Sequence, residues 1–227
     1  MNDVLIELLP LILGAALAPL YPILVLLLLL GEGGLRSAIA FVAGALAMRL
    51  AQGALFGWVF GAAAEAHPDG GPQLIASTLL LVVGLLLLLT AVKKWRKQPD
   101  PDDPPPQWMA ALGGLSSLKA VGAGALFTAV AIKQWVFTLT AIDVIQGAAL
   151  ERAAGAGLYL FFMLATQTLV LLPILVYAVA PQRSAKPLAA AQAWLARNDR
   201  PIMIGVSLVF GLWFLVKGIT GLIGTGA

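Results

Sequence analysis

Cysteine is absent from the 227 residues, so disulfides and thiolate-held metals are excluded. The single histidine, His67, lies in a short polar stretch, where a lone imidazole reads as solvated rather than ligating. Charge is scarce as well. Only 11% of residues are charged while 60% are hydrophobic, a balance no soluble domain of this length could bury. The sequence holds no phosphate-cradling glycine loop, no nucleophile elbow, no His-Glu metal motif and no carboxylate pair at a catalytic spacing. The expectation is a protein that is not an enzyme, with no cofactor and no metal. Basic residues flank apolar runs instead of forming a patch, which argues against nucleic acid as a partner.

What is present is a set of apolar runs longer than the roughly 18 residues that mark a spanning helix. They predict six spans near Val4–Leu30, Ser37–Ala64, Gln73–Val92, Ala120–Gln146, Ala154–Ala180 and Pro201–Gly224. Continuous rather than alternating hydrophobicity excludes a barrel. The first, second, fourth and fifth runs exceed a perpendicular crossing, so they are tilted, broken or partly outside the hydrocarbon. An apolar run that lasts to Leu30 with no basic start reads as a retained span rather than a cleaved signal.

Two connections are long. Lys93–Ser117 begins with Lys93, Lys94, Arg96 and Lys97, continues through an acidic, proline-rich stretch, and ends with Trp108–Leu112 as a candidate interfacial segment. Pro181–Arg200 holds Ala189–Arg197, with Trp194 and Leu195, as a second one. With the amino terminus outside, the inner loops hold Arg36, Lys93, Lys94, Arg96, Lys97, Lys119, Arg183, Lys186, Arg197 and Arg200. The outer loops then hold only Arg152. The asymmetry places both termini on the non-cytoplasmic side. Three spans on each side of the linker then run in opposite senses. Each half has an irregular first span, and a second span that follows an arginine (Arg36, Arg152) and carries a glutamine (Gln52, Gln167). The fold class predicted is an all-α integral membrane protein of six transmembrane helices in two inverted-topology three-helix repeats. Its units are 1–97, a Pro/Asp-rich cytoplasmic linker 98–119, and 120–227.

Within the spans, Arg49 lies 13 residues beyond Arg36, about 20 Å along a helix and so near the bilayer midplane. Lys133 lies 14 residues beyond Lys119, at a similar depth. Intramembrane cations are costly and default to a functional reading. No acidic residue shares their level. Asp143 is about 15 Å further along span four, Glu7 belongs near the outer surface, and Lys217 reads as an interfacial anchor. Pro19 and Pro22 each remove a backbone donor well inside span one and are expected to bend or break it. Tyr21, Gln52, Gln134 and Gln167 complete a predicted polar cluster with Arg49 and Lys133. Backbone carbonyls freed at the prolines could satisfy the cations; an anionic ligand is the other option. Gly53 and Gly57 fit a small-xxx-small pattern for helix packing within the chain.

In this order the motifs resemble the LysE (lysine exporter) superfamily, most closely its GAP branch, named for glycolipid-addressing proteins. The resemblance covers nearly the whole chain. It rests on Gly14-Ala-Ala-Leu-Ala-Pro-Leu-Tyr-Pro-Ile23, Ala38-Ile-Ala-Phe-Val-Ala-Gly44, Lys94-Trp-Arg-Lys97 leading to Trp108-Met-Ala-Ala-Leu112, Ala193-Trp-Leu-Ala-Arg-Asn198 and Leu215-Val-Lys-Gly218. Similar proteins carry an Asn-Pro-Lys-Asn-like stretch in span four. Here it reads Ala131-Ile132-Lys133-Gln134, so the cation stays and the proline that would break the helix is lost. The resemblance implies a six-span bacterial inner-membrane protein tied to export of small solutes or amphipathic lipids.

The function expected is a secondary transporter, an exporter, of a small anionic or zwitterionic solute or an amphipathic lipid. Its expected partners are membrane lipids and the substrate, with a homodimer or larger membrane complex left open. The competing reading is a structural or accessory subunit of such a complex.

Overall fold

The computed structural model describes residues 2–66, 71–96, 114–148 and 150–224. All regular structure among these residues is helical: α1 (Asn2–Ala16), α2 (Leu20–Leu30), α3 (Gly34–Ala66), α4 (Gly71–Arg96), α5 (Ser117–Val130), α6 (Ile132–Gly147), α7 (Arg152–Thr166), α8 (Thr168–Val179) and α9 (Pro181–Gly224). By length and composition α3, α4 and α9 can each cross a membrane unbroken, and three bent pairs qualify as spans when taken together. The protein is therefore multi-pass, with three to six spans. His67, Lys97 and the Trp108–Leu112 segment lie outside the described residues.

Span one breaks where its prolines predict. The axes of Asp3–Ala16 and Leu20–Leu30 meet at 52°. Pro19 has no N–H to give the carbonyl of Ala15, and Pro22 none for that of Ala18. Loss of the family-like proline at position 132 pointed away from a break in span four, yet Ser117–Val130 and Gln134–Gly147 diverge by 72°. Span five also breaks, at Gln167, by 62°. By contrast Pro10, Pro173, Pro187 and Pro201 sit inside helices that continue.

The last of these corrects the sequence reading. Ala189–Arg197 is helical, but it is no separate surface helix. It forms part of α9, 44 residues long, which runs through Pro187 and Pro201 into the final span. Ser184 and Leu188 of its first half are buried, and Leu188 packs with Val170 and Ile174 of α8 and with α2. Where Pro201 removes the bond to the Arg197 carbonyl, the adjoining turn is tied to α4 instead: Asp199 pairs with Lys94, and Arg200 donates to the carbonyls of Lys94 and Trp95.

Lipid-facing Leu9, Leu50, Leu85, Leu89 and Val216 stay exposed, while the interior divides into two apolar clusters. One joins α1, α4, α6, α7 and α9 around Leu8, Phe137, Phe162 and Phe214. The other joins α2, the first half of α3, α5, α8 and Leu188 around Leu24, Phe41 and Val170. Each of the three breaks falls between them, because α1, α6 and α7 belong to the first cluster and α2, α5 and α8 to the second. The three breaks thus lie between the two clusters, and buried Arg49, Gln134, Thr166 and Gln167 lie there too.

Helices approach closely at small residues. A Cβ on Gly44 or Gly124 would strike the backbone carbonyl of Val121 or Phe41, which puts α3 and α5 in backbone contact. Antiparallel α4 and α9 meet at Gly84, Gly211 and Gly218; a Cβ on Gly84 would lie 2.8 Å from the Leu215 nitrogen. The Gly53/Gly57 pair serves this purpose only in part, and against a side chain rather than backbone. Gly53 admits the ring of Tyr159, and Gly57 has only Gln146 near it, at 3.7 Å.

Candidate functional site

Arg49, 3% exposed, sits on α3 in the layer between the two clusters. Its Nη1 donates to Thr166 Oγ1 at 2.9 Å and its Nη2 to Gln134 Oε1 at 3.1 Å. Both acceptors are neutral and both stand beside a break, at the end of α7 and the start of α6. The Gln134 amide then reaches the first break: Nε2 donates to the Ala15 carbonyl at 3.1 Å. That is the carbonyl Pro19 leaves without a helical donor. Of the two options raised by the sequence, capping is therefore indirect. Gln134 satisfies the freed carbonyl and presents its own oxygen to the guanidinium.

Tyr21, on the first turn of α2, points to the same layer but bonds elsewhere. Its hydroxyl donates to Thr128 Oγ1 at 3.0 Å, and Thr128 donates to the Gly124 carbonyl at 2.9 Å. Gln52, one turn beyond Arg49 on α3, is buried, as is Gln167 at the α7–α8 turn. Gln52 Nε2, Gln167 Nε2 and Arg49 Nε are buried donors with no hydrogen-bond partner among the described residues. Pro19 is buried and Pro22 lies in the buried face of α2. The side chain of Lys133 lies outside the described residues; its backbone is in the first turn of α6, next to Gln134.

Four residues of the layer were not among the predicted site residues. Thr166 was visible only as a polar residue near mid-span, and Thr128 gave no signal in its apolar run. Tyr159 donates to the Arg49 carbonyl at 2.6 Å and packs into the space Gly53 leaves, which fixes the depth of α3 against α7. Trp135 explains the break that lacks a proline. Its indole Nε1 donates to the carbonyls of Ala129 (2.8 Å) and Thr128 (3.2 Å), the groups left open where α5 stops. Trp135→Phe keeps an aromatic ring, smaller than the indole, and strands both acceptors. It is expected to lower stability by about 1–2 kcal/mol, read as a shift in thermal unfolding of the purified protein in detergent.

A cavity of about 540 Å³ lies against this layer, between α3, α6 and α7. Leu50, Ala54, Ile142, Ile145, Ala156 and Leu160 make its walls apolar; Tyr159 lines it, and Arg152 and Gln146 add polar groups. Gln146 Nε2 donates to the Gly57 carbonyl at 2.6 Å across it. Elsewhere Lys217 pairs with Glu7 at 3.3 Å and lies 5.5 Å from the Trp213 ring centre. At the other end Lys94 pairs with Asp199 at 2.6 Å, and Arg200 donates to the carbonyls of Lys94 and Trp95.

Chemically, the layer offers an excess of N–H donors over acceptors inside an apolar shell. No group of three or more metal-ligating side chains occurs among the described residues. A family model described as Sap, sulfolipid-1-addressing protein (SfLAP) matches residues 8–220, which include every residue of the layer. No curated protein and no solved structure matches the chain.

Proposed function

The chain belongs to the SfLAP family, and on that premise we propose that it exports an anionic amphipathic lipid, of the kind the sulfolipid in the family's name exemplifies. The observation that carries this reading is the trio of buried donors without an acceptor: Arg49 Nε, Gln52 Nε2 and Gln167 Nε2. Donors without acceptors are what an acceptor-only group such as a sulfate, phosphate or carboxylate would satisfy. Arg49 supplies the charge, Gln52, Gln134, Gln167 and Tyr21 orient the headgroup, and Lys133 adds a second cation from its position beside Gln134. The broken span at Pro19 and Pro22 opens the backbone there. The apolar cavity beside Tyr159 accepts the hydrocarbon part.

The same reading extends to architecture. Six spans form two inverted repeats, 1–97 and 120–227, joined by 98–119. Supporting this, the first span of each half breaks, and the Arg49–Thr166 bond joins equivalent second spans. Arg36, Lys119 and the cluster around Lys94 and Arg200 face the cytoplasm, with both termini opposite, in a bacterial inner membrane. The motifs that resemble those of LysE-type exporters favour a carrier rather than an enzyme, driven by an ion gradient or a partner.

The second reading, an accessory subunit of a larger membrane complex, is favoured by one observation: Arg49 is enclosed and already has two partners. Transport separates the two. In proteoliposomes carrying a fluorescent sulfated lipid, the protein is expected to speed transfer between leaflets. Gly57→Leu, which fills the cavity without a backbone clash, should fold normally and slow that transfer about tenfold or more, the effect of blocking an apolar path worth about 1.4 kcal/mol of barrier. Absence of any acceleration by the wild-type protein with sulfated, phosphorylated and carboxylated lipids would overturn the carrier reading.

A further inference from the structure

A second cavity, of about 380 Å³, lies between α3, α4 and α6, and Asp143, one turn before the end of α6, lines it. Phe60, Leu80, Val83, Trp135 and Leu139 make its walls apolar, and among the described lining residues Thr140 carries the one hydroxyl. The Trp135 N–H is already committed to backbone carbonyls. Asp143 makes no hydrogen bond or ion pair among the described residues. It stands nine residues beyond Gln134 on the same helix, about 13 Å along the axis.

Among the described residues, the charges on the surrounding helices are engaged elsewhere or distant. Glu7 of α1 and Lys217 of α9, the groups whose fields reach Asp143, pair with each other at 3.3 Å. Arg49 of α3 is bonded in the polar layer, and Arg152 of α7 lines the other cavity. Lys93, Lys94 and Arg96 of α4 cluster at the far end of that helix, ten or more residues beyond Val83. An ionised carboxylate facing an apolar hollow in a membrane is expensive, while a protonated carboxyl is tolerated. A metal cation would need several oxygen ligands, and the described lining residues supply the carboxyl and one threonine.

We propose that Asp143 is a proton-binding site and that its proton is the coupling ion of the carrier. The coupling half rests on the transport reading above; the proton site does not. Asp143 and Gln134 ride on one helix, so loss of the proton at one point and release of an anion at the other bias the same rigid element. Gain of the proton makes α6 neutral at this level and lets Asp143 face lipid-like walls; its loss requires water or a reorientation.

The test uses dicyclohexylcarbodiimide on the full chain in lipid nanodiscs. This reagent modifies carboxyls that are protonated and in apolar surroundings. Peptide mass mapping is expected to find the adduct on Asp143 at neutral pH and little on Asp3, Glu151 or Asp199. Labelling should fall about tenfold per pH unit above the titration of the site, the slope of a single protonation. The label should persist in Glu7→Gln and Asp143→Glu and vanish in Asp143→Asn. An unlabelled Asp143, or a label indifferent to pH, overturns the proton site. In proteoliposomes a pH gradient should drive net transfer of the sulfated lipid by the wild-type protein and not by Asp143→Asn. Gradient-driven transfer that survives in Asp143→Asn overturns the coupling role. A pH-dependent label in a protein that moves no lipid counts against the transport reading and leaves the proton site standing.

Discussion

Arg49→Ala is expected to abolish lipid transfer while leaving the protein folded. Two opposing quantities set that outcome. Removing the guanidinium deletes hydrogen bonds to Thr166 and Gln134, and interhelical polar contacts in membranes are worth about 1–2 kcal/mol each. It also deletes a cation whose presence mid-bilayer costs about 2.5–3.5 kcal/mol on insertion scales. The two nearly cancel, so the unfolding midpoint should move by the equivalent of no more than about 2 kcal/mol. Function has no such compensation. Truncating one partner of a buried hydrogen-bonded charge pair costs 2–5 kcal/mol, so transfer of the sulfated lipid should fall about 100-fold or more. Arg49→Lys keeps the charge but not the planar two-pronged donor set that spans Thr166 and Gln134. It should recover only part of the rate. Thermal unfolding and leaflet-transfer rates on the same preparations decide the matter. An Arg49→Ala protein that unfolds or aggregates, with wild-type-like transfer in whatever folds, would make Arg49 a structural lock.

A single methyl group at Gly124 or Gly44 is expected to do the reverse and remove folded protein. At each position the added Cβ meets a backbone carbonyl of the facing helix, Phe41 at one and Val121 at the other. Backbone cannot turn aside as a side chain can, so α3 and α5 must separate along their shared face. Overpacking in well-filled cores costs about 1–3 kcal/mol and occasionally more. Here the contact also holds Phe41, Ala45 and Ala120 in the cluster around α2, and it sets the height at which Thr128 meets Tyr21. Gly124→Ala and Gly44→Ala should therefore lower the yield of monodisperse protein in detergent and cut thermal stability sharply. Gly61→Ala and Gly122→Ala are the controls. Nothing lies within 4 Å of a Cβ at either, and alanine is a better helix former by about 1 kcal/mol. Equal stability across all four variants would show that the α3–α5 approach is not as close as the structure has it.

The two expectations differ in what made them readable. Arg49 announces itself in one dimension, as a lone charge inside an apolar run, and its depth follows from counting residues. Pro19 and Pro22 are equally plain, because a missing N–H is a local fact. Gln134 was also nameable as a polar residue near that depth. Its task was not, since joining Arg49 to the Ala15 carbonyl requires contacts 85 and 119 residues apart. The breaks at Ala131 and Gln167 had no proline to mark them. The first is held by an indole that folds back on the preceding helix, and a tryptophan in an apolar span reads equally well as a lipid-facing ring. Glycine was half legible for a related reason: Gly53 does pack within the chain, against the ring of Tyr159, but the glycines in backbone contact were Gly44, Gly124 and those between α4 and α9. Which face of a helix meets a neighbour is not encoded in spacing alone when nearly every residue is apolar.

The sequence by itself determined the solvent of this protein and the depth of its charges. Long apolar runs must leave water, a carboxylate or guanidinium within them has a computable distance from the ends, and both follow from composition and helical rise. Only the tertiary structure decided that three helix breaks lie between two apolar clusters. It also decided that Arg49 is held by neutral oxygens, that three donors there face no acceptor, and that Asp143 opens on a cavity of its own. The physical reason is that lipid is as apolar as the side chains it contacts. Hydrophobicity therefore carries a span into the membrane without choosing its neighbours. That choice falls to close packing and to a few hydrogen bonds between distant residues, and these exist only once the chain has folded.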